Sequence, residues 1–219
     1  MIANTKLAEQ VRTRPTYCFY GVSESVECIR QWKPPLRVLL SGHLSVETGV
    51  KNLGAALSLL KREAPLALES FCFTIVGSGE LAGELREIAE TSYDGRIEFR
   101  GRISDSEYQE LLRISHIGLC LKMPGHPMGQ TTFPSKVIEF ATWGLLVVSH
   151  KVSDVACLFP GDGAYLLDEA TPEALAGALK NIAQRPDDAA NRASRGQMTV
   201  QNRLQPCKVA TELRALWQL

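Results

Sequence analysis

The sequence predicts an α/β domain built on an open, doubly wound parallel sheet. Three observations predict it. Between residues 37 and 167, short apolar runs alternate with amphipathic stretches of helical period. The runs are continuously apolar rather than alternating, which means strands covered on both faces, as in parallel sheets. Three of them close on glycine, at Gly42, Gly77 and Gly101, where a chain turns easily out of a strand toward a crossover helix.

The elements follow in order. Residues 1–35 look irregular and end in Trp32-Lys33-Pro34-Pro35, whose prolines mark a boundary. Arg37–Ser41 is the first strand. Gly49–Glu63 is a helix with Val50, Leu53, Leu57 and Leu60 on one face. Phe71–Val76 is the second strand, closed by Gly77-Ser78-Gly79, and Glu80–Thr91 the second helix. Arg96–Phe99 is a third strand. Ser104–Arg113 is helical, with Ser104 and Asp105 placed as a cap. His116–Leu121 is a fourth strand and Lys122–Phe133 a long loop. Ser135–Trp143 is a helix, Leu145–Ser149 a fifth strand and Ala164–Leu167 a sixth. Thr171–Gln184 is a helix with Thr171 as cap and Pro172 in its first turn. The remainder reads as helical turns carrying Leu213, Leu216 and Trp217. The expected division is a linker-like segment at 1–36, a ligand-binding domain at 37–185 and a helical tail at 186–219.

Length and composition bound the function. The 219 residues are 45% hydrophobic and 22% charged, ordinary for a globular domain with a sizeable core. Lys plus Arg and Asp plus Glu balance at 24 each. That gives no long-range pull toward nucleic acid or anionic membrane, while leaving room for a local basic pocket. None of the six cysteines forms a C-x-x-C pair or has a histidine at metal-ligand spacing. Cys72 and Cys120 sit in apolar runs as small core residues, a pattern that fits a reducing cytosol. The start has no apolar run after its charges, and no stretch approaches the roughly 20 apolar residues of a membrane span. The expected location is cytoplasmic and no metal is expected.

In an open α/β sheet, ligands bind beyond the carboxyl ends of the strands. Three features lie there. Gly77-Ser78-Gly79-Glu80-Leu81-Ala82 satisfies G-x-G-x-x-A after a strand and before a helix, with Glu98 further on. Three readings are open: a dinucleotide turn, a turn beside some other nucleotide, or a plain tight turn. In Phe133–Ala141, Ser135 is placed to cap a helix whose dipole attracts anions. Glu139, one turn on, offers a carboxylate to a diol, or else pairs with Lys136 on the surface. The irregular loop Lys122–Thr132 reads as a binding loop, with amides and hydroxyls for sugar oxygens; His126 reads as a solvated loop residue.

Taken in order, "SVETGVKNL", "FTIVGSGE", "IEFRGRIS", "FPSKVIEFATWGLLVVSHKVSDV" and "ATPEALAGAL", after a strand ending in glycine, resemble the C-terminal, donor-binding half of a GT-B glycosyltransferase of the retaining family 4 type. The resemblance covers residues 37–185. It implies a Rossmann-like fold and a nucleoside-diphosphate sugar, UDP-linked by family habit, as substrate, with no cofactor or metal. It implies that Glu139 binds the ribose hydroxyls and that Gly42, Gly77, Ser78 and Gly79 line the nucleotide pocket. Arg102 and Ile103 would flank the base. Gln130, Thr131 and Thr132, with Ser135 and Lys136, would approach the sugar and diphosphate.

The departures from the family pattern are specific. Thr131 stands where many members have a sugar-contacting glutamate. His43 stands at the diphosphate-binding arginine and Thr48 at the lysine. Lys51, Lys122 and Lys136 are the candidate substitutes, and His43, Lys51 and Thr131 the candidate catalytic positions. A complete enzyme of this type also needs an N-terminal acceptor domain, so the expected partners are a nucleotide sugar and that missing domain or a partner chain. The full enzyme would build polysaccharide or glycoconjugate, at the inner membrane periphery. Two rivals stand beside this reading: a non-catalytic nucleotide-sugar-binding module and an NAD-dependent oxidoreductase.

Overall fold

The computed structural model describes residues 1, 3–11, 16–24, 26–91 and 95–217. A short helix, α1 (Thr5–Gln10), opens the chain. It is capped by Asn4, whose side chain accepts from the Leu7 N–H at 2.9 Å. The segment read as irregular therefore holds one helix.

β1 (Leu36–His43) is followed by α2 (Val50–Glu63) and a one-turn α3 (Pro65–Glu69), which Pro65 separates from α2. β2 (Phe71–Ser78) leads to α4 (Ala82–Thr91), and β3 (Ile97–Gly101) to α5 (Asp105–Ile114). Ser104 and Glu107 form a reciprocal capping box at the start of α5. β4 (Ile117–Cys120) runs into a loop that contains a short helix, α6 (Pro127–Thr131). Then come α7 (Ser135–Thr142), β5 (Leu146–His150), α8 (Val155–Leu158) and β6 (Tyr165–Leu167). α9 (Pro172–Gln184), capped by Thr171, α10 (Pro186–Arg203) and α11 (Pro206–Trp217) finish the chain. The side chains of Leu216 and Trp217 lie outside the described residues.

All strand pairs are parallel, in the order β3-β2-β1-β4-β5-β6. Successive residues of β1 point to opposite faces: Val38 and Leu40 enter one core, Leu39 the other. The first core is closed by Leu53 and Leu57 of α2 and by Leu175 and Leu179 of α9. The second is closed by Leu112 of α5, Val137 and Phe140 of α7 and Val200 of α10. The sheet is thus wound on both faces, as the continuous apolar runs predict, and the chain reverses direction across the sheet between β1 and β4.

Two local expectations change. Ser135 does not cap α7: Pro134 occupies the cap position and no side-chain bond closes that end. Cys120 is buried, but Cys72 is only half-buried, because it points to the face of β2 opposite Phe71 and Phe73, where it lines a surface cavity.

Two histidines are buried in the sheet region. The His116 ring accepts from the Arg37 N–H at 2.9 Å through Nδ1 and meets the Gln31 carbonyl at 3.1 Å through Nε2. His150 Nδ1 meets the Lys122 carbonyl at 3.0 Å, while its Nε2 is buried without a partner. Burial pushes both below the ordinary 6.5. The unfolded chain protonates them near 6.5 and the folded chain resists, so the unfolded state binds more protons below that pH. Thermal melts should therefore show stability falling as the pH drops from 7 to 5.5. His150→Gln should flatten that slope.

Candidate functional site

At the switch point between β1 and β4 the chain opens a cavity of about 280 Å³. Three walls enclose it: Ser41–Leu44 with Thr48 and Val50, Leu119–Lys122, and Phe133–Lys136. This is where a doubly wound sheet binds ligands, because the two crossovers diverge there.

The first wall is fixed by its own backbone. Gly42 has φ 131°, and a side chain built there would meet nothing within 4 Å, so this strained turn faces open space. Thr48 closes the loop: its hydroxyl accepts from the Ser45 N–H at 3.0 Å and reaches the His43 carbonyl at 2.8 Å. His43 itself is exposed and lines the cavity.

The other walls carry the charge. Lys122 leaves β4 and donates to the Thr132 hydroxyl, and burial lowers its pKa. Lys136, in the first turn of α7, donates to Glu139 Oε2 at 2.6 Å and to the Tyr108 hydroxyl at 2.8 Å. Its ammonium also lies 4.4 Å from the Tyr108 ring centroid. Tyr108 donates to the same Glu139 oxygen at 2.8 Å, and Ser41 meets the Tyr108 hydroxyl at 3.0 Å. Burial, and then the nearby Glu139 charge, hold the Tyr108 phenol well above its ordinary range, so it stays a neutral donor. Glu139 does not line the cavity; it stands one hydrogen bond behind it, and both of its bonds fall on Oε2. With no side-chain cap on α7, first-turn N–H groups are available beside the two lysines. The arrangement suits an anion with hydroxyl groups.

Residues 35–185 match the family model described as glycosyl transferases group 1. The chain belongs to that family. Its fold is also that of the C-terminal domain of GT-B glycosyltransferases. The C-terminal domain of LpcC from Francisella tularensis, a group 1 family protein, superposes with a TM-score of 0.65 at 18% identity, over 84% of this chain and 97% of that one. Sucrose-phosphate synthase from Thermosynechococcus elongatus gives 0.73 at 17% identity, over 99% and 57%. HepE from Anabaena, in complex with UDP, gives 0.68 at 16% identity, over 98% and 52%. The chain thus spans little more than half of these two longer proteins. No curated protein matches it in sequence.

In this group 1 domain the other predicted residues divide. Gly77 and Gly79 pack against the first wall from behind: side chains there would lie 1.9 Å from the Gly42 carbonyl oxygen and 2.2 Å from that of Leu44. Turn amides are also taken, with the Leu81 N–H donating to the Leu44 carbonyl at 3.1 Å. Arg102 donates to Ser78 at 3.0 Å, and Ile103 packs on the second core. Thr131, in α6, donates to the Pro127 carbonyl at 3.0 Å. Gln130 is gripped by the N-terminal segment, through its carbonyl to Asn4 and its side chain to Lys6, both at 2.7 Å. Lys51 is exposed and is not part of the cavity wall, unlike Lys122 and Lys136. His126 is not merely solvated: its Nε2 lies 2.9 Å from Glu47. Sequence reasoning missed Ser41, Tyr108 and Phe133. Tyr108 carried one usable signal, an aromatic on the helix after the Gly101 turn. Among the described residues no three of His, Cys, Asp and Glu converge as a metal-ligand set.

Proposed function

We infer that this chain is the donor-binding half of a retaining, family 4-type glycosyltransferase that takes a UDP-linked hexose. The observation that carries the reading is the cavity at the β1–β4 switch, with Lys122, Lys136 and the open end of α7 on its walls and Glu139 behind them. Lysines and helix N–H groups stabilise a diphosphate by charge-assisted bonds, strongest as negative charge develops on the leaving group. Glu139 Oε1 would accept from the ribose hydroxyls, and Gly42, Ser135, Thr131 and Thr132 would face the diphosphate and sugar. The turn at Gly101, Arg102 and Ile103 would flank the base, with Ser78 beside it in the nucleotide pocket. Transfer breaks the anomeric carbon–phosphate oxygen bond and forms one to an acceptor oxygen. The UDP leaves through its terminal phosphate oxygen, and the proton of the acceptor hydroxyl passes to that phosphate or to solvent. Lys122 and Lys136 take over the work of the arginine and lysine replaced by His43 and Thr48, and of any divalent cation. Solved HepE structures hold UDP or UDP-glucose, which supports the choice of base.

The organisation that goes with this reading is a linker-like 1–36, a donor domain at 37–185 and a tail at 186–219. Acceptor binding is assigned to a separate N-terminal domain or partner chain, in the cytoplasm at the membrane periphery. One observation favours the second reading, a binding module without turnover: the Thr48 hydroxyl is engaged within its own loop. The glycine turn no longer argues for NAD, since packing accounts for it.

Isothermal titration with UDP, GDP, ADP, UDP-glucose and NAD tests this. UDP and UDP-glucose should bind, and Glu139→Ala should weaken them by about tenfold or more. No binding of any nucleoside diphosphate, or an unchanged affinity in Glu139→Ala, would overturn the donor reading. Addition of an acceptor domain then separates enzyme from module by turnover.

A further inference from the structure

A second cavity, of about 470 Å³, opens at the opposite end of the sheet. Arg37 stands near the amino end of β1, and His116 just precedes β4. Arg30 and Lys33 of the incoming segment and Arg113 of α5 complete its charged lining, and among the described residues no Asp or Glu lines it. In a chain whose charges balance overall, this is a local concentration of four cationic side chains.

The protein compensates them poorly. Arg113 pairs with Glu110 at 2.6 Å. That is the carboxylate facing the cluster, and the Arg37 charge also acts on it. Arg30 donates to the Leu112 carbonyl at 2.7 Å, which fixes its guanidinium, yet its Nε is buried without a partner. Among the described residues the side chains of Lys33 and Arg37 make no hydrogen bond or ion pair. The Arg37 N–H bond needs a lone pair on His116 Nδ1 and so favours the neutral ring, against the Gln31 carbonyl contact at Nε2, which favours the charged one. The His116 pKa is lowered first by burial and then by the Arg30 and Arg37 charges, and that of Arg30 first by burial and, in part, by Arg113. These cations repel one another across a concave surface.

We propose that this cavity binds a phosphate-bearing ligand with two or more negative charges, independently of the donor cavity. Arg37 offers a guanidinium fork that matches phosphate oxygens bidentately and Lys33 an ammonium, while Arg30 and Arg113, already bonded to the Leu112 carbonyl and to Glu110, add positive charge around them, and the volume exceeds that of a single ion. A soluble oligophosphate and a phospholipid headgroup share this chemistry.

The test uses the full chain, inorganic tripolyphosphate in titration calorimetry, and flotation with phosphatidylcholine vesicles with or without phosphatidic acid. Lys33→Gln/Arg37→Gln removes two exposed charges without touching a hydrogen bond, so the fold should persist; melting curves check it. Tripolyphosphate should bind, and this variant should lose about tenfold or more. Lys122→Gln/Lys136→Gln should keep a tripolyphosphate site, and Arg62→Gln/Lys180→Gln, at a different cavity, should bind as the parent does. Co-flotation only with phosphatidic acid, lost in Lys33→Gln/Arg37→Gln, would make the ligand a lipid headgroup; calorimetric binding without flotation would make it soluble. The proposal fails if tripolyphosphate does not bind, if Lys33→Gln/Arg37→Gln binds it unchanged, or if Lys122→Gln/Lys136→Gln abolishes all binding. An equal loss in Arg62→Gln/Lys180→Gln would also sink it.

Discussion

Asp154→Ala is expected to cost about 3–5 kcal/mol of stability and roughly 10 °C in melting temperature. Asp154 is only 4% exposed and accepts three hydrogen bonds. The Thr5 N–H and hydroxyl reach it at 2.7 Å each, and the Tyr20 hydroxyl at 2.6 Å. Alanine leaves three donors without an acceptor, and a buried donor stripped of its partner keeps its full desolvation cost. Burial, and then the bond to Asp154, hold the Tyr20 phenol far above its ordinary range, so Tyr20 cannot ionise to relieve the loss. The damage should spread. Asn4 and Lys6 flank Thr5 and hold Gln130, so freeing residue 5 loosens α6 near the cavity. Urea unfolding measures the first effect, and UDP affinity, which should weaken in parallel, the second. Tyr20→Phe, which removes one donor and leaves no orphan of its own, should cost only about 1 kcal/mol. A loss below about 1 kcal/mol in Asp154→Ala would mean that residues 4–6 are not held as described.

These long-range ties explain what the sequence shows and what it hides. The sheet is legible because strands buried on both faces must be apolar throughout, as Leu146–Val148 are. The start of α7 is legible because a proline, a small polar residue and a lysine stand together before an apolar run. Strand ends are not legible: β1 continues to His43 and β2 to Ser78 because the two backbones stay in register there, Gly42 opposite Gly77. No side-chain pattern encodes that. Nor does local sequence say that Thr48, read as a missing lysine, fastens its own loop, or that Tyr108 reaches Glu139 across 31 positions. Asn4 and Gln130 lie 126 positions apart. Contacts of this kind are set by which helices the topology brings to one edge of the sheet. The cations, by contrast, are visible as residues, and only the wall they stand on is new: Lys122 and Lys136 line the cavity, and Lys51, on the exposed face of α2, does not.

Gly77→Ala should be at least as damaging, about 3 kcal/mol or more, and it distinguishes packing from ligand binding as the reason for the glycine turn. Gly77 has φ 140°, which side chains rarely adopt, and a Cβ there would lie 1.9 Å from the Gly42 carbonyl oxygen. That neighbour is backbone, held in the β1–β2 ladder, so it cannot swing aside as a flexible side chain would. The Leu44 N–H donates to the Ser78 carbonyl at 3.0 Å, and the Leu44 carbonyl accepts from the Leu81 N–H. Accommodating the methyl group means parting two strand exits and shifting the first wall of the cavity. The loss should therefore appear in melts of the nucleotide-free protein. A glycine kept only so that a phosphate can approach would behave in the opposite way: the free protein would melt as before and affinity alone would fall. If Gly77→Ala leaves the melt unchanged and weakens UDP, the turn contacts the ligand after all. If the melt falls by the expected amount, the turn buttresses Gly42–Leu44, and its G-x-G-x-x-A spacing follows from the close passage of two backbones.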